Sequence, residues 1–400
     1  MPIGSPFHSR TDALCRTQEW REWSGYFAAI SYQVSHEVEY YSVRNAAGLL
    51  DVSPLFKYEI TGSDAGQLVD RIMTRNIGKC QVGQVVYSPW CDERGKVIDD
   101  GTIARLGETR FRVTAADPNL RWFQDCSSGL DAQVRDVSVE VAALALQGPN
   151  ARNILKQIFT KIDLDRLPYY HAIEAKLGIN RLEISRTGYT GDLGYELWIG
   201  ADNAEALWDR VMEAGQGFGL QPLGLAALDM LRVEAGLLLI DVDYTSAQHA
   251  RIPSQYSSPI EIGLGWAVDL AHRDFIGAEA LRAEKQRGSL RKFVGLEVSW
   301  EALDELFDEV DLPPQVAGRA SRMPVPLYAG GKQIGQATSM LFSPILKKYI
   351  ALATVEAAHS QVGGRVEMEI TVEYERKRAE ARVAKLPFFD PKRKKALAHG

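Results

Sequence analysis

The stretch Arg186-Thr187-Gly188-Tyr189-Thr190-Gly191-Asp192-Leu193-Gly194-Tyr195-Glu196 lies between two strand-like runs, 181–185 and 196–199. Three glycines spaced three apart allow a tight turn, positive backbone dihedrals and the close approach of something flat. Tyr189 offers an aromatic face and Glu196 a carboxylate, at opposite ends of that turn. A plain hairpin needs neither. The stretch reads either as a ligand-facing hairpin or as a glycine-rich turn with incidental polar residues, and the remaining chain has to decide between them.

Four hundred residues are enough for two or three domains with a sizeable core. An apolar content of 46% with 24% charged residues fits a soluble globular protein. The net charge of −6 argues against non-specific nucleic-acid binding, which needs a basic footprint. Cys15, Cys80, Cys91 and Cys126 form no CxxC pair, so the chain reads as reduced and cytoplasmic, without a disulfide framework or a thiolate metal site. The histidines form no HxxxH or HExxH pattern, and no metal is expected. The first residues lack the layout of a signal peptide, and no run approaches the length of an apolar membrane span. Neither nucleic acid nor membrane is therefore expected as a partner. A P-loop, a GxGxxG fingerprint and a GxSxG elbow are all absent.

Aromatics crowd residues 1–35 (Phe7, Trp20, Trp23, Tyr26, Phe27, Tyr32), as expected of a segment anchored on a core. The run 36–47 reads as a helix, 49–53 as a short buried strand and 57–61 as a half-exposed strand. Ser63 is expected to cap a helix reaching Arg75. The strand over 95–105 carries Asp99 and Asp100 side by side. Neighbours on a strand point to opposite faces, so only one of these carboxylates can face a pocket; the other should be solvated or bonded to backbone. Residues 139–146 form an apolar run, and Pro149 suits the first turn of a helix through Ile158. Further helices are expected from Asp202 or Asn203 to Ala214 and over 223–239. Asp241 and Asp243 read as a solvated loop, since two ligands are too few for calcium. Residues 263–269 read as a strand with an inward Trp266, 301–311 as a solvated acidic helix, and 392–395 as a solvated basic tail. Short strands alternating with turns beyond residue 324 indicate a small β-barrel or sandwich.

Taken in order, these landmarks resemble the aminomethyltransferase family typified by the glycine cleavage system T-protein. The resemblance rests on residues 48–53, on Gly95-Lys96-Val97-Ile98-Asp99-Asp100, on the opening stretch, and on residues 231–237, 343–348 and 386–389, spread over nearly the whole chain. It implies an α+β fold, a three-domain cloverleaf around a central channel with a small C-terminal β-barrel or sandwich. The expected domains are 1–50 with 138–225, then 51–137 with 226–275 carrying the Asp-Asp strand, then 276–400. The resemblance further implies tetrahydrofolate as the one-carbon acceptor, a small methyl or aminomethyl donor, and a lipoyl-carrier protein as the partner used by some relatives.

Carried over by position, Asp100 resembles the carboxylate beside the reacting folate nitrogens and Glu196 the acceptor for the pterin N–H donors. Tyr189 resembles a pterin-pocket aromatic, Trp266 a tryptophan near the folate, and Leu55 and Tyr87 pocket-wall positions. A flat pterin with a donor edge suits a carboxylate that takes two hydrogen bonds. Positive charge developing on a ring nitrogen is favoured by a fixed carboxylate nearby. Three positions depart from the family pattern. Leu228 stands where an arginine meets the pterin, Ala116 where the family has an asparagine, and Pro54-Leu55 where it has His-Met. Loss of a charge-assisted donor costs about 1.5–3 kcal/mol, roughly ten- to a hundredfold in affinity. The reading is a divergent tetrahydrofolate-dependent methyl- or aminomethyltransferase, with demethylation of a small amine, sulfonium or methoxy compound as one form of it. The alternatives are a non-catalytic folate-binding or assembly protein of the same fold, or that fold with another ligand. Tyr87, Trp90, Trp122 and Tyr256 are the aromatics from which a quaternary-ammonium cage would have to be built.

Overall fold

A computed structural model describes residues 1–271 and 274–397, and it combines helices with two open sheets, a short hairpin and a closed barrel. The chain divides into two compact units. One comprises residues 1–90, 99–228 and the segment from Asp390 onward; the other comprises 91–98 and 229–389.

The main sheet of the first unit has six strands in the order Ala172–Leu177, Asn180–Ser185, Gly194–Gly200, Val141–Gln147, Ala47–Asp51, Leu220–Pro222. Neighbours are antiparallel except the last pair, which is parallel. The apolar run seen in the sequence becomes the central strand Val141–Gln147, whose Ala142, Leu144 and Leu146 lie on one face, as a period of two requires. They pack with Ile154 and Leu155 of the helix Ala151–Ile158 and with Leu207, Trp208 and Val211 of the helix Ala204–Gly215. That first helix starts two residues later than expected: Asn150 is its N-cap, so Pro149 lies just outside the first turn. A second sheet has five strands, Val85–Cys91, Val97–Gly107, Arg110–Ala115, Phe56–Thr61 and Gln133–Asp136. It is flanked by the helix Ala65–Ile72, capped at Asp64 and not Ser63. That helix stops short of Arg75 because Met73 turns extended and bridges to Trp90.

One buried carboxylate knits the N-terminal part of this unit together. Glu39, on the helix His36–Asn45, accepts from Ser31 Oγ (2.9 Å), Tyr32 N (2.7 Å), Gln33 N (2.9 Å) and Gly224 N (2.7 Å). Four donors compensate the loss of water around the charge. Gly224 has to be glycine, since a Cβ there would sit 2.5 Å from the Ile30 carbonyl oxygen.

In the second unit, six antiparallel strands close into a barrel in the order Arg291–Val298, Lys348–Glu356, Lys332–Ser343, Val325–Ala329, Arg365–Val372, Glu375–Ala384. Alternate residues such as Val294, Leu296 and Val298 fill its interior. The acidic helix Trp300–Asp308 buries Leu303 and Phe307 and leaves most of its acids outside, as expected. Asp243 is a correction. It is buried and takes hydrogen bonds from Arg232 Nη1 (2.5 Å), Thr338 Oγ1 (2.6 Å) and Ser339 Oγ (2.7 Å); only Asp241 is exposed. Arg232 also grips Asp229 (2.7 Å), while Glu234 accepts from Ser343 Oγ (2.5 Å). The charged members of the helix Leu225–Glu234 are thus fasteners to the barrel. The run 392–395 is a second correction: it packs back on the first unit, where Arg393 takes both carboxylate oxygens of Asp192.

Candidate functional site

The glycine-rich stretch connects Asn180–Ser185 to Gly194–Gly200, with Ser185 opposite Glu196 and Leu182 opposite Ile199. Of its three glycines only Gly191 has a positive φ, 75°. The other two make room. A Cβ on Gly188 or Gly194 would lie 2.1 or 2.2 Å from Oε1 of Gln147. The flat group that approaches these glycines is therefore the Gln147 amide. Its Nε2 donates to the Thr187 carbonyl (3.2 Å), and its Oε1 accepts from Thr190 Oγ1 (2.9 Å). The backbone around Tyr189 is pinned from beneath by one side chain.

Along Gly194–Gly200, Tyr195 and Leu197 enter the core, which sends Glu196 to the other face. Glu196 is half-buried, and its Oε2 accepts from Thr187 Oγ1 at 2.5 Å. Thr187 is itself bonded to Ser185 Oγ (2.9 Å), which accepts from the Trp198 indole (3.1 Å). Arg112 lies 4.0 Å over the Trp198 ring and pairs with Glu183 at 2.7 Å. Burial raises the pKa of Glu196, and the Thr187 hydroxyl and the Arg112 charge oppose that rise. A carboxylate offers about four lone-pair positions. Two small hydroxyls leave it able to take a pair of N–H donors.

The paired aspartates divide as the alternation requires. Asp99 is fully buried and serves the backbone, accepting from Asp100 N (2.7 Å), Ala116 N (3.2 Å), Asp117 N (3.0 Å) and Asn119 Nδ2 (3.0 Å). Burial, and then the charge of Asp100 beside it, push its pKa well above the carboxylate range. Asp100 turns to the opposite face and is half-buried, with Tyr87 Oη donating to its Oδ2 at 2.5 Å. The Tyr87 hydroxyl is held well above its ordinary pKa by burial first and Asp100 second; Tyr189 and Tyr170 lie close enough to add to the effect.

Tyr170 escaped the sequence reading. Its φ is +61°, uncommon for a bulky residue. Two backbone bonds hold it there, Val85 N to its carbonyl (2.8 Å) and its own N–H to the Arg186 carbonyl (3.0 Å). These tie the strand bearing Tyr87 to the start of the glycine-rich stretch. Its ring stands edge-on to Tyr169 at 4.5 Å, and Glu196 and Arg75 both influence its hydroxyl. Tyr87 is thus bonded to Asp100, with Tyr170 and Tyr189 near its hydroxyl and Glu196 near that of Tyr170, all within the first unit. Only the adjacent pair Tyr169-Tyr170 ahead of a strand was available in the sequence as a signal for Tyr170.

Three further candidates are Leu55, Leu228 and Trp266. Leu55 and Leu228 are half-buried in the first unit. Trp266 belongs to the second unit and is no inward strand residue; it sits on the short 3-10 turn Gly265–Ala267 and is 63% exposed. Trp90 is wholly buried, its indole donating to Asn119 (3.2 Å), and Tyr256 lies in the second unit under Arg94. Trp90 is thereby removed from any aromatic cage.

Leu55 is set by Lys57, a fully buried lysine whose Nζ donates to the Ser53 (2.6 Å) and Leu55 (2.8 Å) carbonyls. Burial lowers its pKa to about 8, against the attraction of Asp51. The unfolded chain then binds more protons than the folded one between that value and the ordinary lysine range, so stability should rise with pH there. A neutral amine still has two N–H donors for the two carbonyls. Between pH 7.5 and 9.5 the wild type is expected to gain about 2 kcal/mol relative to Lys57→Met in urea unfolding. A constant difference would show that the ammonium is not desolvated.

Comparison with known proteins adds to this geometry. A family model of the GCVT N-terminal domain matches residues 7–272, and one of the glycine cleavage T-protein C-terminal barrel domain matches residues 314–390. The chain is 39% identical over 362 residues to an aminomethyltransferase of Symbiobacterium thermophilum, covering 88% of each protein. It is 35% identical over 400 residues to the trimethylamine-oxide aldolase of Ruegeria pomeroyi, covering 97% of this chain but only 47% of that protein, so it spans about half of that relative's length. The glycine cleavage system aminomethyltransferase T of Bartonella henselae matches with a TM-score of 0.82 at 26% identity, over 98% of this chain and 99% of that one.

Proposed function

Because the chain belongs to the glycine cleavage T-protein family, we propose that it transfers a one-carbon unit from a small methylated amine to tetrahydrofolate. The observation that carries the reading is the hydrogen-bonded pair of Asp100 with Tyr87, with Tyr189 and Tyr170 near the Tyr87 hydroxyl and Glu196 near Tyr170, drawn from separate segments of the first unit. Its donor set suits a pterin. Glu196 is a half-buried acceptor flanked by neutral hydroxyls, and the tyrosines supply flat apolar faces. Tetrahydrofolate would supply the ring nitrogen that accepts the one-carbon unit. Glu196 would orient the pterin through its N–H edge. Asp100, held by the Tyr87 hydroxyl, would place a negative charge and a proton acceptor where cationic character develops.

Two observations support a methylated amine as the donor class over an ordinary glycine cleavage role. Leu228 supplies no guanidinium where the family resemblance implies one, and a relative matched along 97% of this chain is named for trimethylamine oxide. Isothermal titration with tetrahydrofolate tests the acceptor. Wild type should bind, and Glu196→Ala should bind at least about tenfold more weakly, for the loss of a charge-assisted acceptor. No heat with wild type removes tetrahydrofolate, and an unchanged Glu196→Ala isotherm removes Glu196 from the pocket. Binding without product in a donor screen would favour the non-catalytic alternative.

A further inference from the structure

Asp192 sits in the bend that follows Tyr189, with its carboxylate completely buried. Its principal partner comes from 201 residues away: Arg393 donates Nε to Oδ1 (2.6 Å) and Nη2 to Oδ2 (2.7 Å), a planar fork on a planar carboxylate. The same Nη2 reaches the Arg44 carbonyl (3.2 Å), and Arg44 in turn donates to the Thr190 carbonyl (2.9 Å) and lies 3.7 Å from Asp192. The first residue of the stretch makes the reciprocal contact. Arg186, also fully buried, directs Nη2 at the carbonyls of Arg393 (3.3 Å), Lys394 (3.0 Å) and Ala396 (2.7 Å), and Nη1 at the Leu167 carbonyl (3.0 Å). Arg393 and Lys394 belong to the short turn Lys392–Lys394, and Ala396 lies two residues beyond it. Beside them, Lys394 approaches the ring of Tyr169, which packs on Tyr170 of the site.

The glycine-rich stretch is therefore gripped at Arg186 and at Asp192, on either side of Tyr189, by one distant segment. Gly191, the one glycine there with a positive φ, and two glycines without side chains give the bend little rigidity of its own. We propose that residues 390–396 form a clasp that positions the Tyr189–Glu196 face for its ligand, with Arg393 and Arg186 as positioning residues. The link to tetrahydrofolate rests on the function proposed above; the clasp itself does not.

The test uses the full chain with Arg393→Ala and Arg393→Lys. Arg393 is preferred to Arg186 because its side chain is 40% exposed, whereas Arg186 is fully buried. Amide hydrogen exchange without ligand should accelerate at least tenfold over 187–193 in Arg393→Ala, with no change in Val141–Gln147, and Arg393→Lys should restore part of the protection. Unchanged exchange over 187–193 overturns the clasp. For a wild type that binds tetrahydrofolate, Arg393→Ala should weaken binding about tenfold, with partial recovery in Arg393→Lys. Faster exchange with unaltered affinity overturns the positioning role. A wild type that binds no tetrahydrofolate defeats the folate reading alone, and the exchange result still decides the clasp.

Discussion

Asp100→Asn is expected to lower one-carbon transfer by about 10²–10⁴-fold, the usual worth of a positioned acid–base group, with the melting temperature nearly unchanged. The geometry separates these two effects. Asparagine keeps the shape of the side chain, and its amide oxygen can still accept the Tyr87 O–H that now reaches Asp100 at 2.5 Å. What disappears is the negative charge and the proton acceptor. Asp99→Asn is the matching control. Asp99 faces four N–H donors, so an amide NH2 there would meet donors with a donor and damage folding. The measurement is a screen of small methylated amines for methyl- or methylene-tetrahydrofolate by mass spectrometry. An Asp100→Asn enzyme as active as wild type would sink the assigned role.

This pair also shows how far the sequence could be read. The period of two along a strand was enough to say that only one aspartate could face a pocket, but it left the other either solvated or bonded to backbone. Alternation of short strands with turns likewise located the barrel, while 139–146 was legible only as an apolar run and not as the central strand Val141–Gln147. Local pattern failed where a residue's partner is remote. Nothing near Arg393 announces Asp192, 201 residues earlier, and nothing near Asp243 announces Ser339. A charge with an unseen partner reads as solvated. The error at Trp266 has a different origin. Residues 263–269 alternate in a strand-like way, but Gly263 adopts φ +81° and the chain closes turns from Ala267 N to the Leu264 carbonyl (2.9 Å) and from Val268 N to the Gly265 carbonyl (3.2 Å). Glycine permits that choice, and its composition cannot reveal whether it is taken. Tyr170 illustrates the same limit in reverse, since a left-handed tyrosine is imposed by bonds to Val85 and Arg186 and has no local signature.

Two of the three evenly spaced glycines lie against the Gln147 amide, and the reason for Gly194 can be tested directly. Gly194→Ala is expected to lower the melting temperature of the first unit by about 6–12 °C, or roughly 3 kcal/mol. The new Cβ would fall 2.2 Å from Oε1 of Gln147, a side chain only 1% exposed. Gln147 can move aside only by abandoning the Thr187 carbonyl and the Thr190 hydroxyl, leaving buried polar groups without partners. Gly217→Ala provides the comparison, because a Cβ there meets nothing within 4 Å; it should change stability by less than about 0.5 kcal/mol. The decisive measurement is the double variant. Gln147→Ala alone already forfeits both hydrogen bonds, so adding Gly194→Ala to it should cost almost nothing further, a coupling of about 2–3 kcal/mol between the two sites. If the two losses instead add, the Gln147 amide is not what the glycine accommodates. Coupling of that size would mean that Gly194 and Gly188 serve the amide that pins the bend from below, and that ligand contact on this face is left to Tyr189 and Glu196.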